Sequence, residues 1–304
     1  MSDHINFRKI ESEKIINCFG VNFYNKVLKD IKLYADKWSL GNFEFIPSYS
    51  TKAVFKCKSD QFGEVVLKIG DPSLEEIEKE YHTLCQYDGK NFCEVFEADV
   101  DNGVILESCV KPGISLREEK SLEKRLSLFC SIYRGLHIPP INIELYPTYI
   151  GWVNRITDYM SNRNDCRELY LQMKKAEDIC EEISALYSKK LLLHGDLHHD
   201  NILLGVDGRY VMIDPKGVIG DPIFDLPRFI LNEFDDDIDR ETYSKIIRII
   251  GFLEKELDVP ALVLRKCLYI ETIMSVCWGV EDGEEYTVVK ERLDLAEAIL
   301  GGFC

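Results

Sequence analysis

Two carboxylates and a carboxamide are spaced along one stretch of the chain in a way that suits phosphate chemistry. Asp196 and Asn201 are separated by four residues, and Asp214 follows an apolar run that ends at Ile213. Carboxylate and amide oxygens are ligands that Mg²⁺ takes from proteins alongside nucleotide phosphates. A positioned carboxylate also accepts the proton of an attacking hydroxyl. The spacing therefore indicates transfer of a phosphoryl group to a hydroxyl.

A lysine and a glutamate earlier in the chain fit the same chemistry. Lys68 lies in the apolar run 64–69, and a helix is predicted from about residue 71 to Tyr87. Glu80 falls on the inward stripe of that helix, which repeats at helical spacing in Ile77, Tyr81 and Leu84. A carboxylate on an inward face needs a partner. Lys68 is the nearest plausible cation.

The elements that must position these residues change type along the chain. Apolar periodicity over 7–40 predicts one or two amphipathic helices. Turn residues separate three apolar runs at 43–46, 53–57 and 64–69, which predict consecutive antiparallel strands. A further short strand is expected at 103–106.

Residues 107–113 contain the proline and glycine that break regular structure. Beyond them helical patterns dominate, apart from a hairpin predicted over 201–213 that would bring Asn201 near Asp214. We therefore expect an N-terminal sheet lobe over 1–107 and a mainly helical C-terminal lobe over 108–304.

Composition excludes several classes of protein. With 304 residues and 46% hydrophobic content the chain is globular, and no apolar run is long enough to span a membrane. The eleven cysteines contain no C-x-x-C pair, which indicates reduced thiols and, without a signal pattern, a cytoplasmic protein. The net charge of −16 argues against nucleic acid and favours a cationic ligand.

Two linked motifs resemble those of a known family. His194-Gly195-Asp196-x4-Asn201 is followed by Ile213-Asp214-Pro215-Lys216-Gly217 and then by Gly220-Asp221-Pro222-x-x-Asp225. Together they are similar to the kinase-like aminoglycoside phosphotransferase family, most of all to its streptomycin and hydroxyurea branch. The resemblance covers about 43–231 and implies a two-lobed α+β fold like that of protein kinases.

The resemblance also implies roles for the residues named above. Asp196 is the expected catalytic base, Asn201 and Asp214 the Mg²⁺ ligands, and Lys68, held by Glu80, the contact to the phosphates of ATP. We expect these parts to converge on one nucleotide. Asp225 is expected to stabilise the catalytic loop, and His194 to support its backbone.

The expected nucleotide contacts depart from the protein-kinase pattern. Ser50 and Thr51 lie in the turn where protein kinases carry a glycine-rich loop, so phosphate contacts would come from backbone amides or hydroxyls. Adenine is expected to bond to backbone groups of Glu107, Ser108 and Cys109.

Several acceptors are compatible with this sequence. A streptomycin-type aminoglycoside is the leading candidate, with hydroxyurea, another sugar or an amino alcohol as alternatives. The acidic residues that could bind a polycation, or simply form a solvated face, are Glu233, Asp235, Asp236, Glu281 and Asp282.

Two further hypotheses belong to other classes. His198 and His199, with Asp196 and Asp200, would suit a metal-dependent hydrolase, but that hypothesis gives Lys68 no role. A kinase-like protein that binds nucleotide without catalysis is the second. The sequence does not define the oligomeric state.

Overall fold

The structure is a computed structural model that describes residues 9–47, 52–234, 238–283 and 290–301. Its strands are β1 (Leu40–Ile46), β2 (Ala53–Ser59), β3 (Gly63–Ile69), β4 (Val95–Asp99), β5 (Val104–Ser108), β6 (Ile114–Ser115), β7 (Leu191–Leu193), β8 (Ile202–Leu204), β9 (Tyr210–Met212) and β10 (Val218–Gly220). Its helices are α1 (Lys9–Lys37), α2 (Glu76–Tyr87), α3 (Leu122–Tyr133), α4 (Tyr149–Ser161), α5 (Arg167–Leu186), α6 (Leu226–Leu231), α7 (Arg240–Leu257), α8 (Ala261–Glu281) and α9 (Lys290–Gly301).

Two compact units divide the described chain. Unit 1 takes the described parts of Met1–Ile114 together with Leu203–Ile213, and unit 2 takes Ser115–Ile202 and the described parts of Asp214–Cys304. This division differs from the expected boundary at 107/108, because backbone hydrogen bonds tie the hairpin of β8 and β9 to unit 1. Met212 N donates to Asn91 O (2.8 Å), and Gly113 N donates to Leu204 O (2.9 Å).

Unit 1 is built on a five-stranded antiparallel sheet in the order β1-β2-β3-β5-β4. Along β3, Val65, Leu67 and Ile69 are buried in a core that α1 covers with Ile31 and Tyr34. Successive strand residues point to opposite faces. Lys68 therefore points away from that core.

The predicted strands are present, but β4, β6 and β10 were not anticipated. The expected start of α2 was wrong. Asp71 instead caps a short 3-10 turn, Pro72–Leu74, with its side chain accepting from Ser73 N (2.9 Å). Glu75 then adopts a left-handed backbone (φ 57°), which separates that turn from α2. At the N-terminus, α1 covers most of the predicted helical region and consists of two helical segments joined by a kink at the non-helical Gly20.

Unit 2 is mainly helical. The central helix α8 packs against α4, α5, α6, α7 and α9 and is buried along most of its length, including at Leu268, Ile273 and Met274. The strands β7 and β10 form a two-stranded antiparallel ribbon in which Leu193 pairs with Val218. This ribbon holds the segment that begins at His194. Across the described ranges we find no helix apolar and long enough for a membrane span.

Candidate active site

In unit 1 the structure pairs Lys68 with Glu80, as expected. Lys68 Nζ lies 2.5 Å from Glu80 Oε1, and the two residues are 2% and 0% exposed. Glu80 sits on the inward stripe of α2 with Ile77 and Leu84, which are also buried. A charge-assisted hydrogen bond of this length fixes the ammonium group in place. The roles of both residues toward a nucleotide remain predictions.

Two further side chains belong to this buried network and were not anticipated. Glu107 Oε2 lies 2.9 Å from Lys68 Nζ, and Lys52 Nζ bonds to the second oxygen of Glu80. All four side chains are at most 3% exposed, so two cations balance two carboxylates. Lys68 faces Ile105 across the sheet, so Glu107, two residues further on β5, lies on the same face.

In unit 2 the loop after β7 is held by one buried carboxylate. The carboxylate of Asp225 accepts from the backbone N–H groups of His194 and Gly195, both at 2.8 Å, and pairs with His137 Nε2 at 2.9 Å. Asp196 N in turn donates to His194 Nδ1 (3.2 Å). These contacts are the loop support expected of Asp225 and His194.

Gly195 is required at its position by both conformation and space. Its φ is +78°, a region that side chains other than glycine rarely adopt. An added Cβ would lie 2.9 Å from Trp152 Cη2 and 3.0 Å from Val218 Cγ1. Any other residue at this position would therefore require Trp152 or Val218 to move.

Replacing Asp225 by asparagine tests this support. In wild type both carboxylate oxygens accept from backbone N–H groups, whereas in the variant an amide NH₂ would face one of these N–H groups and leave it without an acceptor. We therefore expect the free energy of unfolding to fall by about 2–4 kcal/mol. Urea denaturation of Asp225→Asn measures the change, with the exposed Asp294→Asn on α9 as the control. Equal midpoints for the two variants would contradict the role of Asp225.

Asp196 is half-buried and ionised. Burial alone would raise the pKa of its carboxyl, but Arg228, His198 and Lys216 outweigh burial and lower the pKa below its ordinary value. Arg228 Nε lies 3.4 Å from Asp196 Oδ1. At neutral pH this carboxylate is thus charged and is held on a fixed backbone.

Asn201 and Asp214 also lie in unit 2. Asn201 Nδ2 donates to Asp196 O (2.9 Å) and lies 3.2 Å from His198 Nε2, so its amide nitrogen is directed into the loop. Asp214 is half-buried and has a left-handed backbone (φ 57°). Non-glycine residues with such strain are uncommon and cluster at functional sites.

A chain of polar side chains that starts at Asp196 was not anticipated from the sequence: the half-buried Arg228 and the buried Glu271 and Tyr149. Arg228 Nη2 lies 2.8 Å from Glu271 Oε1, and Tyr149 OH donates to Glu271 Oε2 at 2.8 Å. Burial raises the pKa of the Glu271 carboxyl, which Arg228 partly opposes. The available signal was a charged residue inside each of two apolar helical runs, 226–231 and 267–274.

The histidines proposed as metal ligands have other partners. His199 Nε2 lies 2.7 Å from Glu233 Oε1, and Asp200 forms an ion pair with Arg117 at 2.6 Å. Within the described ranges, no three His, Cys, Asp or Glu side chains are grouped so as to hold a metal ion. The described residues therefore give the hydrolase hypothesis no metal centre.

Two of the five acidic residues considered for a polycation, Glu233 and Glu281, are already paired with basic side chains. Glu233 is buried and pairs with Arg125 (2.5 Å) and Lys245 (3.3 Å). Glu281 pairs with Arg155 at 2.7 Å, and Asp282 is an exposed residue at the end of α8. Asp235 and Asp236 lie outside the described residues.

Glu233 should make stability depend on acid pH. Burial alone raises the pKa of its carboxyl, but hydrogen bonds from His199 and Arg125 outweigh burial and lower the pKa to about 2. A carboxylate with a depressed pKa stabilises the fold above its unfolded pKa, and this stabilisation is lost as the pH falls toward 2.

We therefore expect wild type to have a larger free energy of unfolding than Glu233→Gln. This difference should shrink by about 2–3 kcal/mol as the pH is lowered from about 4.5 to about 2.5. Urea denaturation across this range measures the difference, with the exposed Glu241→Gln as control. A difference that stays constant with pH would contradict the assignment.

The expected nucleotide contacts are only partly within the described chain. Ser50 and Thr51 lie outside the described residues. Ser108 N donates to Glu94 O (2.8 Å), and Cys109 N donates to Glu64 O at 3.4 Å, a long hydrogen bond. Adenine contacts by Glu107 and Cys109 remain predictions, as does convergence of the residues of both units on one nucleotide.

Solved structures of kinases share this fold. Choline kinase LicA from Streptococcus pneumoniae matches with a TM-score of 0.66 and 14% identity, over 92% of this chain and 99% of that chain. A thermostable mutant of aminoglycoside phosphotransferase APH(4)-Ia, in ternary complex with ADP and hygromycin B, matches with a TM-score of 0.64 and 14% identity, over 89% and 97%. The expected kinase-like α+β fold is confirmed.

The family follows from the sequence match. Residues 38–283 match the family described as aminoglycoside/hydroxyurea antibiotic resistance kinase, and the chain belongs to that family. Hydroxyurea phosphotransferase from Kitasatospora aureofaciens is 31% identical over 36% of this chain and 30% of its own length. Streptomycin 6-kinase from Streptomyces glaucescens is 27% identical over 36% of each chain.

Streptomycin 3''-kinase from Klebsiella pneumoniae is 29% identical over 69% of this chain and 78% of its own length. The matches to the hydroxyurea phosphotransferase and the streptomycin 6-kinase span only about a third of those two proteins. The predicted resemblance to the streptomycin and hydroxyurea branch is thus confirmed at modest identity.

Proposed function

We propose that this protein transfers the γ-phosphate of ATP to a hydroxyl group of a small molecule. The observation that carries the proposal is the state of Asp196: a half-buried, ionised carboxylate next to Gly195, whose N–H is bonded to Asp225. Membership of a kinase family supports it. A fixed carboxylate of this kind suits a reaction in which catalysis is mostly positioning and charge stabilisation.

Asp196 acts in the proposal as the general base. Its carboxylate accepts a hydrogen bond from the acceptor hydroxyl and takes the proton as the hydroxyl oxygen attacks the γ-phosphorus. The proton moves to Asp196, the new bond joins the acceptor oxygen to phosphorus, and the bond from the γ-phosphorus to the oxygen bridging to the β-phosphate breaks to leave ADP.

Lys68 contacts the phosphates of the nucleotide in this proposal. Glu80 and Glu107 lie 2.5 Å and 2.9 Å from its Nζ and hold the ammonium group in place before a nucleotide binds. We propose that Ser50, Thr51 and the backbone at Glu107 and Cys109 supply the remaining nucleotide contacts.

Asn201 and Asp214 are suited to hold Mg²⁺. One offers an amide oxygen and the other a carboxylate oxygen, which are the hard donors that this ion prefers. The amide nitrogen of Asn201 points into the loop and donates to Asp196 O, so the amide oxygen points away from Asp196 O. Bound there, Mg²⁺ supplies charge neutralisation on the phosphate oxygens.

Two classes of acceptor are candidates. A streptomycin-type aminoglycoside is favoured by the family and by the names of two relatives. A smaller hydroxyl compound is favoured by a cavity of about 260 Å³ in unit 2, below the roughly 300–1,000 Å³ of pockets for drug-sized ligands. Arg228, which contacts Asp196, lines this cavity.

Incubation with γ-labelled ATP and Mg²⁺ tests the reaction. The acceptor panel contains streptomycin, hydroxyurea, glucosamine, ethanolamine and glycerate, and labelled product is identified by mass. We expect product from at least one acceptor and none above background with Asp196→Asn. ATP binding without labelled product from any acceptor would contradict the proposal and favour a kinase-like protein without catalysis.

A further inference from the structure

Arg228 contacts the proposed base from the same part of the chain that holds the loop backbone. It lies on α6, three residues after Asp225, whose carboxylate accepts from the N–H groups of His194 and Gly195. Arg228 Nε lies 3.4 Å from Asp196 Oδ1. Residues three apart on a helix are neighbours on its surface. One turn at the start of α6 thus contacts both the backbone of the loop and the side chain of Asp196.

Three other side chains fix the guanidinium group of Arg228. Its Nη2 pairs with Glu271 Oε1 at 2.8 Å, and Tyr149 OH donates to the second oxygen of Glu271 at 2.8 Å. Glu271 and Tyr149 are each only 3% exposed. The guanidinium carbon lies 5.5 Å from the centroid of the Trp278 ring. A charge-assisted hydrogen bond and an aromatic ring together restrict the orientation of the arginine.

The Nε donor of Arg228 is the part of this group that is directed to Asp196. Nε is a buried atom, and among the described residues it has no hydrogen-bond partner. A buried N–H group without an acceptor is unfavourable, so shortening of the 3.4 Å contact with Asp196 Oδ1 is favoured. Hydrogen bonds of catalytic groups are often long before substrate binds and shorten in the complex. Glu271 therefore engages Nη2, and Nε is left to act on Asp196.

The side-chain contacts of the Asp196 carboxylate lie on one oxygen. Arg228 Nε and His198 Nε2 lie 3.4 Å and 3.8 Å from Oδ1, and neither of these contacts involves Oδ2. A carboxylate is planar, so contacts that fix Oδ1 also fix the direction of Oδ2. Oδ2 is then the oxygen that can accept a hydroxyl proton without breaking the contact with Arg228.

We propose that Arg228 is a positioning residue: it contacts Oδ1 of Asp196 so that Oδ2 receives the proton of the acceptor hydroxyl, and Glu271 holds Arg228 in place. This role rests on the proposed phosphotransfer and adds a residue to it. Arg228 neither takes the proton nor touches the reacting oxygen. Its effect comes from geometry, because misplacement of a reacting group by about 1 Å can lower a rate by about 100-fold.

Two substitutions of Arg228 test this role. Arg228→Lys keeps a positive charge for Glu271 but lacks the planar set of donors that reaches two carboxylates at once. Arg228→Ala removes the whole group. We expect kcat to fall by about tenfold in Arg228→Lys and by about 100-fold in Arg228→Ala, with a KM for ATP within about twofold of wild type.

The value of kcat is calculated per ATP-binding site, so that unfolded protein does not contribute. The sites are counted by calorimetric titration with a non-hydrolysable ATP analogue and Mg²⁺. Arg248→Ala is the matched control, because Arg248 is an exposed arginine of α7 in the same unit. It should keep the wild-type kcat.

A soluble guanidinium compound separates positioning from a purely structural role. Arg228 lines a cavity of about 260 Å³ in unit 2, so millimolar methylguanidinium has a route to the space that Arg228→Ala opens. We expect it to raise the kcat of Arg228→Ala by at least about tenfold. Methylammonium, which has the same charge without the planar donors, should not. Asp225→Asn disturbs the same loop but keeps Arg228, so methylguanidinium should not raise its kcat.

The outcomes separate this role from the reaction itself. A reduced kcat per site in Arg228→Lys, with rescue of Arg228→Ala by methylguanidinium alone, supports the role. A wild-type kcat per site in Arg228→Lys, or no difference between the two compounds, overturns it even if wild type phosphorylates an acceptor. If Arg228→Ala does not fold, the kcat per site of Arg228→Lys decides. If wild type yields no product from any acceptor, the proposed phosphotransfer fails, and the role of Arg228 fails with it.

Discussion

Asp196→Asn should lower kcat by about 10²–10⁴-fold while leaving the fold intact. Asparagine keeps the shape of the side chain but does not accept a proton from the acceptor hydroxyl. The loop backbone is held by Asp225 and His194 through contacts that do not involve the Asp196 side chain. We therefore expect the free energy of unfolding to change by less than about 1 kcal/mol.

Steady-state turnover of the acceptor that wild type phosphorylates measures this effect, together with the KM for ATP, which should change little. Asp158→Asn is the matched control, because Asp158 is exposed on α4 of the same unit. A kcat for Asp196→Asn equal to that of the control would remove Asp196 from the reaction and leave only a structural role.

Lys68→Met is expected to damage both stability and turnover. Methionine has a similar length, but its thioether leaves the buried carboxylates of Glu80 and Glu107 with one cation fewer in their network. Breaking a buried ion pair by removal of one partner typically costs about 3–5 kcal/mol. Loss of the proposed phosphate contact should also lower kcat/KM for ATP. Lys58→Met, at an exposed position of β2, is the control.

A double variant separates the two effects of Lys68. Adding Glu107→Gln to Lys68→Met removes one buried charge, so we expect recovery of about 1–3 kcal/mol of the lost stability. Turnover should stay low, because no ammonium is restored beside Glu80. Recovery of turnover along with stability would mean that Lys68 only holds the fold. Urea denaturation and ATP kinetics on the same preparations give both quantities.

Elements with strong local patterns were predictable, and those without them were not. The inward positions of Val65, Leu67 and Ile69 in β3 and the inward stripe of α2 follow directly from periods of two and 3.6 residues. In β4 every residue is half-buried, so Val95–Asp99 carries no clear alternation. The turn before α2 depends on the left-handed backbone of Glu75, a residue type with no special preference for it.

Some residues of the candidate site could likewise be predicted from local sequence patterns, and others could not. Lys68 and Glu80 could be paired from sequence because each stands out against an apolar pattern. Glu107 and Lys52 could not be assigned to this network from sequence. The contact of Glu107 with Lys68 and that of Lys52 with Glu80 depend on how β2, β3 and β5 pair in the sheet. Arg228 and Glu271 are 43 residues apart in the numbering and meet only when α6 packs on α8. Contacts that depend on such long-range packing produce no local periodicity in the sequence, so they could not be predicted from it.

The hairpin of β8 and β9 has a consequence for biosynthesis and for gene fragments. All of it except Ile202 belongs to unit 1, although residues 115–202, which follow Ile114 in the chain, belong to unit 2. A truncated product that ends near residue 114 therefore lacks the partners of Gly113 and Asn91. At about 5–20 residues per second, a ribosome needs roughly 5–20 s to reach the hairpin after Ile114 has been added. Unit 1 is therefore incomplete during that part of translation, and no single cut of the chain yields either unit whole.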